Sequence, residues 1–251
     1  MNRQQKLEEE LEYLKLSYIR ENYGPMVAEA ATKQTAHMDF LASVIASETN
    51  ARQERSAQRR IQQARFPVVK TLEEFQWDHP KKINRDLVRH LFNLQFVEQH
   101  ANIVFLGGTG LGKSHLATAL AYHACTQGRS VRFDTAINVI NRLDTAQKTG
   151  NFGQVMRSYT SPELLCLDEL GYLPIDQRGA DLLFQVISSR YERGSMIITS
   201  NRQFNKWHLI FDNDTTITSA ILDRVLHHSE VVVIEGPSFR MRQSRAKTTE
   251  D

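Results

Sequence analysis

Cysteine is scarce in this sequence, and long apolar runs are missing from it. Its 251 residues include only Cys125 and Cys166, too few for a disulfide framework or a cysteine-rich zinc site. We expect both to be buried thiols, since the second lies inside an apolar run. The sequence contains no run of 18 apolar residues, the length that a membrane-spanning helix needs. The polar start Met1–Gln5 does not resemble a signal peptide. We therefore expect a cytoplasmic protein with no membrane partner.

Glycine and proline are almost absent from the first 65 residues, where each occurs once, in the pair Gly24-Pro25. Apolar residues recur at helical spacing on both sides of this pair. They are Leu7, Leu11, Leu14, Tyr18, Phe40, Leu41, Val44 and Ile45. The pattern predicts a small all-helical N-terminal domain over residues 1–66, interrupted at Gly24-Pro25. It ends at Phe66-Pro67, because the residue before a proline is disfavoured in the α conformation.

Acidic residues are nearly absent between residues 52 and 70, although the whole chain has a net charge of only +2. Glu54 is the single acid in this stretch, and the first three of its six basic residues share one helix face. The six are Arg52, Arg55, Arg59, Arg60, Arg65 and Lys70. We expect them to contact the phosphates of double-stranded DNA, largely independently of its sequence. The alternative is a solvated helix face.

Short β-rich runs alternate with helical stretches after residue 66. Five runs are predicted to be strands: Asn102–Leu106, Ser130–Phe133, Leu164–Leu167, Met196–Thr199 and Val231–Ile234. Such alternation is typical of an α/β domain in which helices cover both faces of a parallel sheet. We predict this domain over residues 67–240 and a mobile basic tail over residues 241–251.

A glycine-rich segment follows the first predicted strand and precedes the helical run His115–Thr126. It fits the phosphate-loop pattern G-x-x-x-x-G-K-S in the strand-to-helix context that this motif requires, and the alternative is a chance glycine-rich turn. The glycines let backbone N–H groups face the phosphates of ATP, Lys113 should reach the β- and γ-phosphates, and the Ser114 hydroxyl should bind Mg²⁺. The residues assigned to nucleotide binding are Gly107, Gly108, Thr109, Gly110, Leu111, Gly112, Lys113, Ser114 and His115.

Polar residues end two of the later predicted strands. Asp168 and Glu169 follow one of them, at the sheet edge where a carboxylate can meet Mg²⁺. We assign Asp168 to the metal and Glu169 to polarising the attacking water as general base. Asn201, after the next strand, could hydrogen-bond that water or the γ-phosphate. Taken alone, the two acids would more often form a solvated turn, and Ser200-Asn201 could be a plain turn start.

Arg224 lies on an otherwise apolar helical stretch, Ala220–Val225. The permanent charge and bidentate geometry of arginine suit a phosphate presented by a neighbouring subunit. In that interpretation, ATP hydrolysis requires a homo-oligomer. The alternative is a surface arginine paired with Asp223.

Together these residues resemble the AAA+ family, and longer segments are similar to the IstB-like helper ATPases of bacterial insertion sequences, relatives of the DnaC-type helicase loaders. The resemblance runs through nearly the whole chain. One departure is Phe239, where the family signature Gly-x-Ser-Tyr-Arg has tyrosine, and the role of Arg240 as a second sensor is open. The similar segments are residues 102–107 (NIVFLG), 112–117 (GKSHLA), 168–174 (DELGYLP), 189–195 (SRYERGS), 199–201 (TSN) and 221–228 (ILDRVLHH).

The resemblance implies a five-stranded sheet in the order 5-1-4-3-2, ATP-dependent assembly on DNA, and partnership with the transposase of the same element. It also implies that Lys113 binds the nucleotide, that Asn201 is a sensor, and that Arg224 acts in trans. The function it favours is an ATP-dependent, DNA-binding ATPase that recruits or stimulates a transposase. The alternatives are a replicative helicase loader and a binding module that holds ATP only structurally.

Overall fold

The computed structural model describes residues 2–239. The chain divides into two compact units, Met1–Arg59 and Arg60–Asp251. The domain boundary that we place at residue 66 stays a prediction. Arg240 and the expected tail, residues 241–251, lie outside the described residues. Within the described part of the chain, no helix combines the length and the apolar character needed to cross a bilayer.

Three helices begin the chain: α1 (Arg3–Tyr13), α2 (Ser17–Thr32) and α3 (His37–Ala64). The buried carboxylate of Glu48 on α3 accepts a hydrogen bond from the Ile19 N–H at 3.0 Å and pairs with Arg55 at 3.1 Å. Because N–H groups at a helix start lack partners within the helix, this carboxylate stabilises the start of α2 and holds it against α3.

The helix break predicted at Gly24-Pro25 is wrong, because Pro25 lies inside α2. The breaks occur at Lys15 and Gln34, whose backbones are left-handed with φ of 55° and 50°. Left-handed residues end helices by turning the chain, whereas a proline removes one backbone hydrogen bond and the turns on either side can continue. The predicted helix end before residue 66 is confirmed, since α3 ends at Ala64.

Five parallel strands form one sheet in the order β2-β3-β4-β1-β5. This is the order 5-1-4-3-2 read from the other edge, so the predicted fold class, a P-loop AAA+ domain after a helical N-terminal region, is confirmed. Ligands of such sheets bind at the carboxyl ends of strands where the order switches, here between β1 and β4. The strands are β1 (Asn102–Gly107), β2 (Val131–Thr135), β3 (Leu164–Leu170), β4 (Ser195–Ser200) and β5 (Ser229–Ile234).

Helices cover both faces of the sheet, and a 3₁₀ helix (Phe204–Leu209) follows β4. The α-helices after α3 are α4 (Arg85–Leu91), α5 (Gln95–Glu98), α6 (Lys113–Thr126), α7 (Ala136–Thr149), α8 (Phe152–Thr160), α9 (Gln177–Arg190) and α10 (Thr215–Leu226). Side chains of β1 alternate between two apolar clusters, because successive residues of a strand face opposite ways. Ile103 and Phe105 pack with α6, whereas Val104 and Leu106 pack with α7, α9 and α10.

Both cysteines are buried thiols, as predicted. Burial raises the pKa of the Cys125 thiol to about 12, and it raises the pKa of Cys166 well above its ordinary value. Since the thiolate is the reactive form, neither side chain is a nucleophile at neutral pH. They fill the apolar cluster beneath α6.

Candidate nucleotide-binding site

The glycine-rich turn between β1 and α6 forms a narrow backbone loop. Gly110 and Gly112 are left-handed, with φ of 76° and 88°. A methyl group on Gly112 would lie 2.6 Å from the Phe75 ring, and one on Gly110 would overlap the Ser238 hydroxyl. Side chains are therefore excluded at both glycines, and backbone atoms line the loop.

The start of α6 faces this loop. Gly112 is the N-cap residue and makes no side-chain cap, so the N–H groups of the first turn and the helix dipole favour an anion there. The Lys113 ammonium donates a hydrogen bond to the Gly108 carbonyl across the loop at 2.7 Å. Backbone donors and a cation around one concave turn fit the phosphates of ATP.

Asp168 connects the ends of three elements. Its Oδ1 accepts hydrogen bonds from Ser114 Oγ on α6 at 2.9 Å and from Thr199 Oγ1 on β4 at 2.5 Å. The carboxylate is buried, with 7% of the residue exposed. A hydroxyl and a carboxylate are the oxygen ligands that Mg²⁺ prefers, so Ser114 and Asp168 fit the metal expected from the sequence.

Thr199 is a site residue that sequence reasoning missed. Its hydroxyl oxygen also accepts the Glu169 N–H at 3.0 Å, so one side chain links both acids. The register between β3 and β4 shifts after Leu167, and Glu169 is left-handed with φ of 61°. A bulge of this kind turns a side chain out of the ladder, and Glu169 is exposed where Asp168 is buried. The polar triplet Thr-Ser-Asn at the end of β4 was the available signal.

A small cavity of about 50 Å³ collects several residues that we assign to phosphate binding and hydrolysis. Thr109, Lys113, Glu169 and Asn201 line it, together with Tyr172. Sequence reasoning can anticipate this meeting, because the carboxyl ends of neighbouring parallel strands lie at one edge of the sheet. The roles of these residues stay predictions.

A larger cavity of about 510 Å³ lies beside the loop, and Phe75, His79 and Phe239 line it. The Phe239 N–H donates to the Gly110 carbonyl at 2.9 Å, and His79 Nε2 lies 2.9 Å from the Pro237 carbonyl. The His79 and Phe239 rings meet edge to face, with centroids 4.7 Å apart. Sequence reasoning missed His79, and only the Gly-x-Ser-aromatic signature pointed to Phe239. The volume and aromatic lining are typical of a small-molecule site.

Two residues singled out from the sequence also line the larger cavity. His115, assigned to the nucleotide, contacts the Thr71 carbonyl through Nε2 at 2.8 Å. Lys70, assigned to DNA, lies in the same cavity as Gly112. Lys70 thus lies beside the phosphate loop, and its assignment to DNA stays a prediction.

The other basic residues of the stretch differ in their contacts. Arg52 donates to the Lys15 carbonyl at 2.9 Å, Arg55 pairs with Glu48, and Arg60 donates to the Cys125 carbonyl at 2.9 Å. Arg59 and Arg65 are exposed. A polyanion would therefore meet Arg59 and Arg65 with the least disruption of hydrogen bonds inside the protein.

Arg224 lines neither of the two cavities. Its guanidinium lies over the Phe184 ring, 4.8 Å from the centroid, and donates to the Ala220 carbonyl at 2.9 Å. The Arg224 side chain thus contacts Phe184 on α9 and Ala220 on its own helix, α10, whereas the alternative interpretation from the sequence requires a pair with Asp223.

Comparison with known proteins gives close relatives over nearly the whole chain. A family model described as IstB-like ATP binding protein matches residues 9–247. The ATP-binding protein of insertion sequence IS21 from Pseudomonas aeruginosa is 37% identical over 239 residues, which cover 95% of this chain and 90% of that protein. The corresponding protein of IS232 from Bacillus thuringiensis subsp. berliner is 35% identical over 246 residues, 98% of each chain.

Solved structures of replication proteins share the fold. AMPPCP-bound DnaA from Aquifex aeolicus has a TM-score of 0.55 and 24% identity, over 72% of this chain and 55% of that chain, about half of DnaA. The DnaC helicase loader has a TM-score of 0.53 and 20% identity, over 66% of this chain and 96% of that one. At such identities these likenesses show the P-loop AAA+ fold alone. The match over residues 9–247 decides the family: this chain belongs to the IstB-like ATP-binding proteins, whose relatives come from insertion sequences.

Proposed function

We propose that this protein hydrolyses ATP, assembles on double-stranded DNA largely independently of sequence, and recruits or stimulates the transposase of its own insertion sequence. The observation that carries the proposal is the convergence of Lys113, Ser114, Asp168, Glu169 and Asn201 around one phosphate loop. The relatives' names support ATP binding and an insertion-sequence context. A helicase-loader function has less support, because the likeness to DnaC concerns only the fold.

The phosphate loop and α6 bind the triphosphate in this proposal. Lys113 exchanges the Gly108 carbonyl for the β- and γ-phosphates, and the loop N–H groups hold their oxygens. Ser114 and Asp168 would hold Mg²⁺, which would neutralise phosphate charge. Their hydrogen bond of 2.9 Å already keeps the two oxygens close together.

Glu169 is the proposed general base. Its exposed carboxylate lines the small cavity with Lys113 and Asn201, where it can accept a proton from the attacking water. Asn201 orients that water through its side-chain amide. Thr199 is proposed as a positioning residue, since its hydroxyl accepts the Glu169 N–H and donates to Asp168.

Arg224 is proposed to contact the nucleotide of a neighbouring copy. It lines neither cavity of its own chain, and the guanidinium is held by Phe184, an uncharged partner that leaves its charge available. Hydrolysis then requires assembly, with each site completed by the next subunit.

The ATPase rate, measured against protein concentration with and without duplex DNA, tests this function. We expect the rate per chain to rise with concentration, and DNA to shift that rise to lower concentration, because DNA gathers the chains. Lys113→Ala, measured alongside, should remain inactive throughout. A rate per chain that is independent of both concentration and DNA would contradict assembly-coupled hydrolysis.

Exposed arginines provide the test of DNA contact. Arg59→Gln combined with Arg65→Gln should weaken binding to unrelated duplexes alike, and the removal of each phosphate contact should flatten the slope of log affinity against log salt by about one. Lys148→Gln, which removes one positive charge from α7, is the control and should change the slope little. An unchanged slope in the double variant would move the DNA contact to another surface.

Capture of the transposase encoded by the same element tests the proposed partner. A tagged form of this protein should retain that transposase with ATP and duplex DNA, and retain much less after Lys113→Ala. Equal retention by the parent and this variant would show that nucleotide binding does not control the partner.

A further inference from the structure

Two segments of the sequence, residues 189–195 and 221–228, line neither nucleotide cavity of their own chain. They meet where α9 and α10 end. Arg190 fixes the turn after α9, because its buried guanidinium donates five hydrogen bonds of 2.8–3.3 Å to surrounding carbonyls. The carbonyls belong to Tyr159, Thr160, Pro162, Glu163 and Ser195. The turn that follows is therefore held in one geometry.

Three metal-ligand side chains converge on this corner. Glu192, left-handed with φ of 57°, projects from the turn after α9, while His227 and His228 follow the last residue of α10. Glu192 Oε1 lies 3.9 Å from His227 Nδ1 and 4.0 Å from His228 Nε2. One ligand atom from each of the three residues lies within 4.8 Å of the other two.

Direct bonds between these residues do not account for the cluster. Both carboxylate-to-imidazole distances exceed the 2.7–3.2 Å of a hydrogen bond. The two imidazole rings lie side by side with centroids 4.0 Å apart. A cation between the two rings and the carboxylate would bind all three side chains.

The spacing agrees with the bond lengths of zinc. Around a tetrahedral ion with bonds of about 2.0–2.1 Å, ligand atoms lie roughly 3.4 Å apart. The two carboxylate-to-imidazole distances of 3.9 and 4.0 Å would shorten by about half an ångström. The ligand atoms of the two histidines, which lie within 4.8 Å of each other, would approach by up to about 1.4 Å. All three residues are exposed, so rotation of their side chains can supply that movement and the ion can enter from solution.

Tyr191 hydrogen-bonds the same histidine, and its hydroxyl lies 2.8 Å from His227 Nδ1. An ion bound at His227 Nδ1 would therefore have to displace this hydroxyl.

We propose that Glu192, His227 and His228 form a binding site for a divalent transition-metal ion, represented by Zn²⁺. Two imidazoles and one carboxylate select Zn²⁺, Co²⁺ or Ni²⁺ over Mg²⁺, which prefers oxygen ligands and retains its waters. The ion joins the turn after α9 to the end of α10. Arg224 lies one helical turn before His227 on α10, so the ion stabilises the segment that carries this arginine.

Metal titration of the untagged full-length protein tests the site. Calorimetry with Zn²⁺ and absorption spectra with Co²⁺ should show one saturable site per chain that excess Mg²⁺ does not displace. His228→Ala and Glu192→Gln should each weaken binding at least about tenfold. His37→Ala removes an exposed histidine outside the cluster and should leave binding unchanged. Tyr191→Phe should bind at least as tightly as the parent.

Thermal unfolding supplies a second measurement. Saturating Zn²⁺ should raise the Tm of the parent and of Lys113→Ala, but not that of His228→Ala, because only binding to the folded state stabilises it. The Tm of each variant without metal shows that it folds. Absence of saturable binding, binding unaffected by His228→Ala, or loss of binding in Tyr191→Phe would overturn the ligand set. Retained binding in Lys113→Ala makes this result independent of the proposed ATPase.

Discussion

Glu169 has a backbone conformation that residues other than glycine seldom adopt. Its φ of 61° lies in the left-handed region, which costs about 1–2 kcal/mol. The hydrogen bond from its N–H to the Thr199 hydroxyl offsets part of that cost. As a result, the Glu169 carboxylate projects from the sheet edge while Asp168 stays in contact with Ser114. Two adjacent acids thus receive different surroundings, one exposed and one buried.

Glu169→Gln should bind ATP and Mg²⁺ yet hydrolyse ATP at least about 100-fold more slowly, because an amide cannot accept the proton of the attacking water. Steady-state turnover and binding of a fluorescent ATP analogue measure the two effects separately. Glu230→Gln, which changes an exposed acid on β5, is the control and should keep the parental rate. Parental turnover by Glu169→Gln would show that another group is the base.

Thr199→Val should keep the shape of the side chain and remove the hydroxyl that links the two acids. Leaving the Glu169 N–H without its partner should lower the free energy of unfolding by about 1–3 kcal/mol. Because the acids are then less well positioned, kcat should fall on the order of tenfold with a smaller change in KM. Urea unfolding and ATPase kinetics measure both, and Thr199→Ser should recover most of the loss. Failure of serine to recover kcat would assign the effect to packing instead of the hydroxyl.

Arg190 connects the ends of several elements in the second unit. It joins the end of α8, the loop before β3 and the start of β4 through backbone carbonyls. Burial lowers the pKa of Arg190 to about 10, so the guanidinium is still charged at neutral pH. The five carbonyls compensate for removing this charge from water, and they hold the turn that carries Glu192.

Arg190→Met should lower the free energy of unfolding by about 3 kcal/mol or more, since several buried carbonyls lose their donor together. Urea unfolding measures this loss as a lower midpoint. Arg193→Met, in the same turn but exposed, should have little effect. Arg190→Lys should recover only part of the loss, because an ammonium cannot reach carbonyls on both sides as a guanidinium does. Equal midpoints for the variants at 190 and 193 would contradict this role.

The nucleotide cavities and Arg224 are separate within one chain, and for this reason we propose that hydrolysis requires several copies. The phosphate loop and the acids Asp168 and Glu169 lie at the carboxyl edge of the sheet, whereas Arg224 packs on Phe184 of α9. A contact between this arginine and a γ-phosphate is therefore expected between copies, in a head-to-tail arrangement that repeats one interface.

Mixing two inactive variants should restore part of the ATPase activity. Lys113→Ala lacks nucleotide binding and keeps Arg224, while Arg224→Ala keeps the nucleotide site and lacks the arginine. In an equal mixture, roughly a quarter of head-to-tail interfaces combine an intact site with an intact arginine. The ATPase rate of the mixture against that of each variant alone is the measurement. If no mixing ratio exceeds the separate rates, the site is not shared.

Local patterns in the sequence were sufficient to predict the strands, the phosphate loop and the two acids near the end of β3. The strand order came from the resemblance to AAA+ proteins, since periodicity does not say which strands are neighbours. The contacts of Thr199, of His79 and of the cluster at Glu192 could not be predicted from the sequence, because each joins residues that are distant in the chain. Lys70 shows the same limit, since its place beside the phosphate loop depends on how the segment before β1 folds back.

By itself, the sequence determined the family, the parallel α/β fold and the position of the phosphate loop. These features depend on residues close together in the chain, because glycine conformations, apolar periodicity and helix starts are set by the preferences of neighbouring residues. Only the tertiary structure decided that Thr199 joins both acids, that Phe239 covers the loop and that Glu192 meets two histidines. Such contacts arise when folding brings segments that are distant in the chain close together, and the linear order of residues does not contain those distances.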